Sequence, residues 1–392
     1  MKLRGISRNV LVLGVVSLLT DVSSEMIYPL LPLFLTGVLG AGPAFLGAIE
    51  GIAESTAALL KLASGYVSDR LPLRKPLVVA GYGLSALARP LIALAASPVF
   101  VLGVRFCDRI GKGIRTSPRD ALIADSVEPE LRGRAYGFHR SMDHAGALIG
   151  PLLAAGLLAW FTLDLRTVFW LAAIPGLLAV LFLVVGIREL PRQPSSAASA
   201  GKTGVTFLPR GQLRAYLLIL LLFTIGNSSD AFLLLRASEL GVAPALLPLL
   251  WAFFHLVKML SVFPFGALSD RIGRRGVIIA GWGIYAAAYL GFAMATSELH
   301  IWLLFAGYGL FYGLTEGAEK ALVADLAPAA ERGAAFGWFN AAIGLGALPA
   351  SLLFGALWQW FGPLAAFGCG AAMAAVAAVL LLIMVRGEEQ LG

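Results

Sequence analysis

The 392-residue chain is poor in charge and almost without cysteine. Charged residues make up 14% of it and hydrophobic ones 59%, with a mean hydropathy of +0.84. Soluble domains carry about a quarter charged residues, so an ordinary soluble fold is excluded and a bilayer is the expected solvent. The two cysteines, Cys107 and Cys369, sit in apolar runs in opposite halves, which excludes a disulfide framework and a thiolate metal site. His139, His144, His255 and His300 show no metal-ligand spacing. No phosphate-binding loop or nucleophile-base constellation occurs either, so no cofactor, no metal and no enzymatic activity are expected. The 45 glycines and 20 prolines would suggest disorder in a polar chain, but both are common in membrane helices.

A spanning helix needs roughly 20 apolar residues. Hydropathy places spans near 10–36, 44–68, 76–96, 99–124, 135–160, 167–188, 213–240, 244–268, 276–295, 299–324, 333–360 and 363–385. The expected fold is therefore an all-α membrane protein of twelve transmembrane helices. If the helices alternate, 18 of the 30 Lys and Arg lie on one side and only Arg166 on the other. By the positive-inside rule both termini are cytoplasmic, and a multi-pass inner-membrane protein follows. Charge sorted in this way belongs to a lipid-bilayer partner, and no nucleic-acid partner is expected despite a pI near 9.6. The N-terminal apolar run is too long for a signal peptide and holds Asp21 and Glu25, so it is expected to be the first span.

Residues 189–212, rich in Pro, Ser and Gly, are expected to be a cytoplasmic linker between an N-terminal half, 1–188, and a C-terminal half, 213–392. The halves are copies. Gly65-Tyr-Val-Ser-Asp69-Arg70-Leu-Pro72-Leu-Arg74 recurs as Gly266-Ala-Leu-Ser-Asp270-Arg271-Ile-Gly273-Arg-Arg275, offset by 201. Ala121 to Asp125 recurs as Ala321 to Asp325, and Arg132-Gly133-Arg-Ala-Tyr-Gly137 as Arg332-Gly333-Ala-Ala-Phe-Gly337, both offset by 200. Ser23-Ser24-Glu25 is echoed by Ser228-Ser229-Asp230. Duplicated sets of six spans are the signature of transporters built from parallel repeats.

These doubled loops, on duplicated six-span halves, resemble the Major Facilitator Superfamily. Pro72 departs from the family's usual glycine, and Gly273 keeps it. The resemblance implies two pseudo-symmetric six-helix halves that rock about a central site. It also implies that Gly65, Asp69, Arg70, Arg74, Gly266, Asp270, Arg271 and Arg275 gate the cytoplasmic face, each aspartate meeting a helix start in the other half. Unpaired N–H groups and the helix dipole favour a carboxylate there. Gly146, Gly150 and Pro151 resemble the helix-packing motif of the superfamily's drug/proton antiporters, with Ala154 and Ala155 replacing its last two glycines. Residues 108–125 are similar to a poorly characterised prokaryotic branch.

Twenty-one charges fall within the predicted spans, where an ionisable group must pair or face a wet cavity. Arg105, Asp108, Arg109, Lys112, Arg115 and Arg119 recur every three or four residues and share one helical face. Arg105 resembles the arginine that the family associates with proton coupling, although Arg109 occupies the following glycine position. Arg140, Asp143 and His144, with Lys258 and Glu316, complete the substrate-cavity candidates. Arginine forks suit an anionic or zwitterionic solute; the alternative is that they pair with acids and lock the half together. Asp21, Glu25, Glu54 and Asp230 are the proton-coupling candidates. The alternative for each is a permanent salt bridge. The expected function is a monomeric secondary transporter exporting a small organic solute against protons, with a proton-coupled importer as runner-up and a membrane enzyme or receptor behind it.

Overall fold

The computed structural model describes residues 6–31, 34–40, 43–161, 163–189, 207–227, 230–242 and 246–385; side chains at 29, 36–37, 43–55, 159, 231, 238, 247–248 and 348 lie outside the description. The described residues build twelve helical spans and no strand. We number them α1 (Arg8–Glu25), α2 (Pro43–Arg70), α3 (Lys75–Ala88, continued by a 3-10 turn Arg89–Leu94), α4 (Pro98–Asp125), α5 (Arg132–Trp160) and α6 (Leu165–Leu171 with Ala173–Gly186). The second set is α7 (Gly211–Gly226, then Ala231–Glu239), α8 (Leu247–Ile272), α9 (Arg274–Met294), α10 (Glu298–Leu326) and one long helix, Arg332–Met384. Gly362, at φ 81° and followed by Pro363, breaks that helix into α11 (332–361) and α12 (363–384).

The boundaries have local causes. Ser97 and Ser297, 200 residues apart, accept the amides of Phe100 and His300 and cap α4 and α10. Asp164 caps α6, and its hydrogen bonds with Thr167 hold that exposed carboxyl below the usual carboxylate range. Six helical stretches, one of them the joined α11 and α12, are long and apolar enough by themselves to cross a membrane. Helix α4 is not among them, because seven charges from Arg105 to Asp120 interrupt it. It must be sheltered by protein, and it packs on α2 and α3, as α10 packs on α8 and α9. Two expected spans are interrupted. The first is α-helical to Glu25, then continues as a turn at Tyr28–Leu30 and a π-helical turn at Phe34–Val38, and the seventh breaks after Gly226 and is helical again over Ala231–Glu239.

Packing divides the chain into two compact units. One contains Met1–Val127, Met142–Phe207 and Pro328–Asn340; the other contains Glu128–Ser141, Leu208–Ala327 and Ala341–Gly392. The first turns of α5 and of α11 are thus exchanged, each belonging to the unit of the opposite sequence half.

Candidate functional site

The exchange is held by the two repeated loops. In the first unit, Asp69 at the end of α2 accepts the amides of Gly333 and Ala334 at 3.0 and 2.7 Å. In the second, Asp270 accepts those of Gly133 and Arg134, each at 2.8 Å. Both carboxylates thereby satisfy orphan N–H groups in the first turn of a helix. The backbones meet closely. A Cβ on Gly65 would overlap the carbonyl of Gly333, one on Gly333 would lie 2.6 Å from the carbonyl of Gly65, and Gly266 and Gly133 repeat the arrangement. Glycine is required on both sides of each crossing because there is no room for a side chain.

Around each aspartate stands an ion-pair network. Arg74, fully buried, bridges Asp69 at 2.8 Å and Asp125 at 3.2 Å, and Arg332 reaches Asp125 at 2.7 Å. In the second unit Arg274 bridges Asp270 and Asp325, and Arg132 reaches Asp325. The buried mate of Arg74 is therefore Arg274, which corrects the sequence register that matched Arg74 to Arg275. Five residues separate Asp69 from Arg74, but four separate Asp270 from Arg274. The shorter loop turns at Gly273, with φ 89°, and the longer one needs no such residue. Arg275 instead donates to the carbonyls of Val385 and Leu382, as the Lys75 ammonium does to those of Val184 and Ile187. Arg70 and Arg271 are exposed. Asp125, Asp325, Arg132 and Arg332 were visible as repeated residues, but nothing in the sequence marked them as members of one network.

The first unit also fixes both ends of the expected linker. Glu189 accepts the amides of Arg74 and Lys75 at 2.9 and 2.7 Å. The carbonyl of Phe207 accepts the Tyr66 hydroxyl at 2.5 Å and the Trp338 indole at 3.1 Å. The stretch 190–206 lies outside the described residues.

Deeper in the same unit, Asp108 organises the α4 stripe. It accepts Nε of Arg89 at 2.9 Å and the Tyr28 hydroxyl at 2.5 Å; Arg105 and Arg109 lie 3.9 and 3.6 Å away. The guanidiniums of Arg105 and Arg109 lie 4.0 and 5.5 Å from the centre of the Tyr28 ring. Arg115 and Arg119 leave this group. Arg115 bonds Ser85 at 2.7 Å and stacks on Tyr82, while Arg119 forks onto Asp120 at 2.9 and 3.1 Å. The expected stripe is thus a central cluster followed by two arginines that tie α4 to α3, Arg115 through Ser85 and Tyr82 and Arg119 through the Tyr82 hydroxyl at 3.4 Å. Lys112, half-buried, lies within electrostatic reach of Glu25. Arg89 and Tyr28 complete the cluster from outside the predicted site set. Both lie in apolar sequence, where only three-dimensional packing reveals a partner.

The coupling candidates separate. Ser17 hydrogen-bonds Asp143, and Asp143 lies within electrostatic reach of Asp21. The α5 glycines face these acids, since a Cβ on Gly146 would lie 2.8 Å from that of Asp21 and one on Gly150 2.8 Å from that of Glu25. The Gly-Pro motif therefore seats α5 on the acidic face of α1. Among the described residues neither Asp21 nor Glu25 has a salt-bridge partner, in contrast to Asp108. The Glu54 side chain lies outside the described residues. His144 and Asp143 are buried beside one another in α5.

In the second unit Arg140 grips Glu316 with two hydrogen bonds of 2.9 and 3.0 Å, and Lys258 stands 3.5 Å from the same carboxylate. The Lys258 ammonium also lies 3.7 Å from the centre of the Tyr312 ring and 4.8 Å from that of Phe254. Asp230 accepts the Tyr308 hydroxyl at 2.7 Å. Arg236, in the second segment of α7 as its expected span implied, reaches the end of α9 and donates to the carbonyls of Phe292 and Ala295. There it caps a helix C-terminus, as Arg166 does at Ala93 and Ala95.

Comparison with known proteins is decisive at this point. Residues 13–235 and 217–391 match the Major Facilitator Superfamily. The chain belongs to that family. An uncharacterised transporter of the family from Methanocaldococcus jannaschii is 36% identical, over 97% of this chain and 96% of that one. The multidrug resistance protein MdtH of Salmonella newport is 23% identical, with coverage of 82% and 79%. The crystal structure of the human organic anion transporter MFSD10 superposes with a TM-score of 0.79 at 18% identity, over 95% and 99% of the two chains. The protein is accordingly a multi-pass membrane transporter of the Major Facilitator Superfamily, a secondary carrier of small molecules and not an enzyme.

Proposed function

We propose that the protein exports a polar organic anion or zwitterion in exchange for protons. The observation that carries this reading is the Asp108 cluster, where Arg89, Arg105 and Arg109 converge on one carboxylate and one tyrosine ring. A guanidinium presents a planar fork to a carboxylate or phosphate, and three of them gathered in one cluster suit an anionic guest. The human organic anion transporter MFSD10 agrees with this chemistry by its substrate class, and the multidrug resistance protein MdtH agrees with outward movement.

Asp21 and Glu25 supply the proton step. A carboxylate without an ion pair in a membrane protein can take and release a proton as its access to water changes, whereas Asp108, bridged to Arg89, is held by its partners. The Asp69 and Asp270 contacts act as cytoplasmic gates that part during each cycle, with both termini and the 189–212 linker on the cytoplasmic side of the inner membrane and the carrier working as a monomer. The halves that rock are 1–188 and 213–392.

Everted vesicles from cells with and without the protein, given an acid-interior gradient and a cell extract, test this reading. Gradient-dependent accumulation of organic anions or zwitterions is expected. Accumulation of lipophilic cations, or depletion of loaded solute showing uptake in the opposite sense, would replace it with another class or with import.

A further inference from the structure

Beyond these candidates, one buried acid is used by neither the loops nor the clusters. Glu319 on α10 is 8% exposed. It accepts the Trp282 indole N–H from α9 at 3.1 Å through Oε1. It has no ion pair among the described residues. From α7 it is faced by Tyr216, which is 0% exposed and whose hydroxyl has no hydrogen-bond partner among the described residues. The remaining charged group in its field is Glu316, one turn earlier on α10 and already held by Arg140 and Lys258. Lys320 follows Glu319 on α10, yet among the described residues no cation comes within ion-pair distance of the Glu319 carboxylate.

The repeat sharpens the anomaly. Two hundred residues earlier, Tyr82 occupies the place of Trp282 and Arg119 that of Glu319. Arg119 also points its charge at the α3 aromatic, with NH1 3.4 Å from the Tyr82 hydroxyl, and is neutralised by Asp120. The second repeat keeps the aromatic and reverses both charges, Lys320 standing where Asp120 does, but among the described residues Glu319 makes no ion pair with it. A buried carboxylate without a cation costs several kcal/mol if ionised, so an acid retained here needs a reason other than fold stability.

We propose that Glu319 is a second proton-binding site, loaded and unloaded during the transport cycle, with Trp282 orienting the carboxyl and Tyr216 able to hydrogen-bond it when the proton moves. This rests on the proton-coupled reading above and adds a site in the second half to Asp21 and Glu25 in the first. The proton passes to and from Glu319 without any other bond changing.

The test is infrared pH-difference spectroscopy on the purified full chain in lipid, without substrate, following the carbonyl stretch that only a protonated carboxyl shows. The wild type should give a titrating band with separable components, one lost in D21N and another lost in E319Q and shifted in W282F, because Trp282 bonds the same oxygen. An E319Q spectrum identical to wild type overturns the assignment, as does a Glu319 band invariant between pH 5 and 9. Glutamine preserves the indole acceptor, so a purely structural role would leave E319Q folded and spectrally silent. The spectroscopy needs no gradient. Failure of gradient-driven flux in the wild type would therefore remove the coupling reading while the carboxyl assignment stood or fell on its own band.

Discussion

The two repeats share a skeleton and differ in chemistry at matching positions. In the first, α3 and α4 carry Arg89, Arg105, Asp108, Arg109 and Lys112; in the second, α9 and α10 carry Tyr289, Phe305, Tyr308, Gly309 and Tyr312. The charged set forms the Asp108 cluster. The aromatic set forms a continuous ring system, in which Tyr285 and Tyr289 stack at 4.1 Å and Phe254 and Tyr308 at 5.3 Å. The loops show the reverse, because there the ion pairs and the close glycines recur in both copies although one loop is a residue longer. The difference teaches that duplication has kept the loop crossings and diversified the side chains buried within each unit. Each unit therefore carries a wall of its own kind, charged in the first and aromatic in the second.

The largest expected break in this comparison is steric and should be equal in the two copies. G333V and G133V each push a side chain into a backbone crossing, where overpacking costs about 1–3 kcal/mol or more. Cysteine-accessibility measurements at the loops should show both crossings opened to a similar degree. Next come the walls, which should respond unequally. D108N leaves Arg89 without its buried partner, a loss of about 3 kcal/mol or more for such pairs, whereas Y308F removes one hydrogen bond worth about 1 kcal/mol. Thermal unfolding in detergent should rank D108N well below Y308F, and equal shifts would end the claim that the two walls differ in kind.

Much of this architecture was legible in the sequence. Twelve spans, the duplication and the doubled loop follow from hydropathy, offset and spacing, because each is a local or repeated signal. The breaks within spans one and seven were not legible. Glu25 and Gly226 end helical segments that resume within the same span, and hydropathy averaged over a span does not register a short interruption. The Arg74–Arg274 equivalence was hidden by a loop longer by one residue, since two adjacent arginines fit the repeat at neighbouring offsets. The fate of the stripe was also hidden. Helical period places Arg105 to Arg119 on one face, but only the neighbours on α3 decide that Arg115 and Arg119 pair there while Arg105 and Arg109 remain with Tyr28. Glu319 escaped because its distinguishing feature is the lack of a counter-ion, which a linear chain cannot display.

A smaller effect separates the two loops themselves. Tyr66 and Trp338 hold Phe207 in the first unit, and their counterparts by the repeat, Ala267 and Phe138, carry no hydrogen-bonding tip. W338F should weaken the first crossing by about 1 kcal/mol and leave the second unchanged, read as cysteine accessibility at each loop. The smallest effect belongs to the exposed loop arginines. R70A and R271A should each stay within about 0.5 kcal/mol of wild type in thermal unfolding, while R74A and R274A should not.

The central claim is that protons drive an organic anion outward through the unpaired acids of the first helix. Everted vesicles carrying wild type or D21N, loaded from the same cell extract under an acid-interior gradient, test it directly. The account predicts that wild type concentrates its solute only while the gradient lasts, and that D21N equilibrates the same solute without concentrating it. Equal concentration by both proteins, or concentration that persists after the gradient is collapsed, would contradict it.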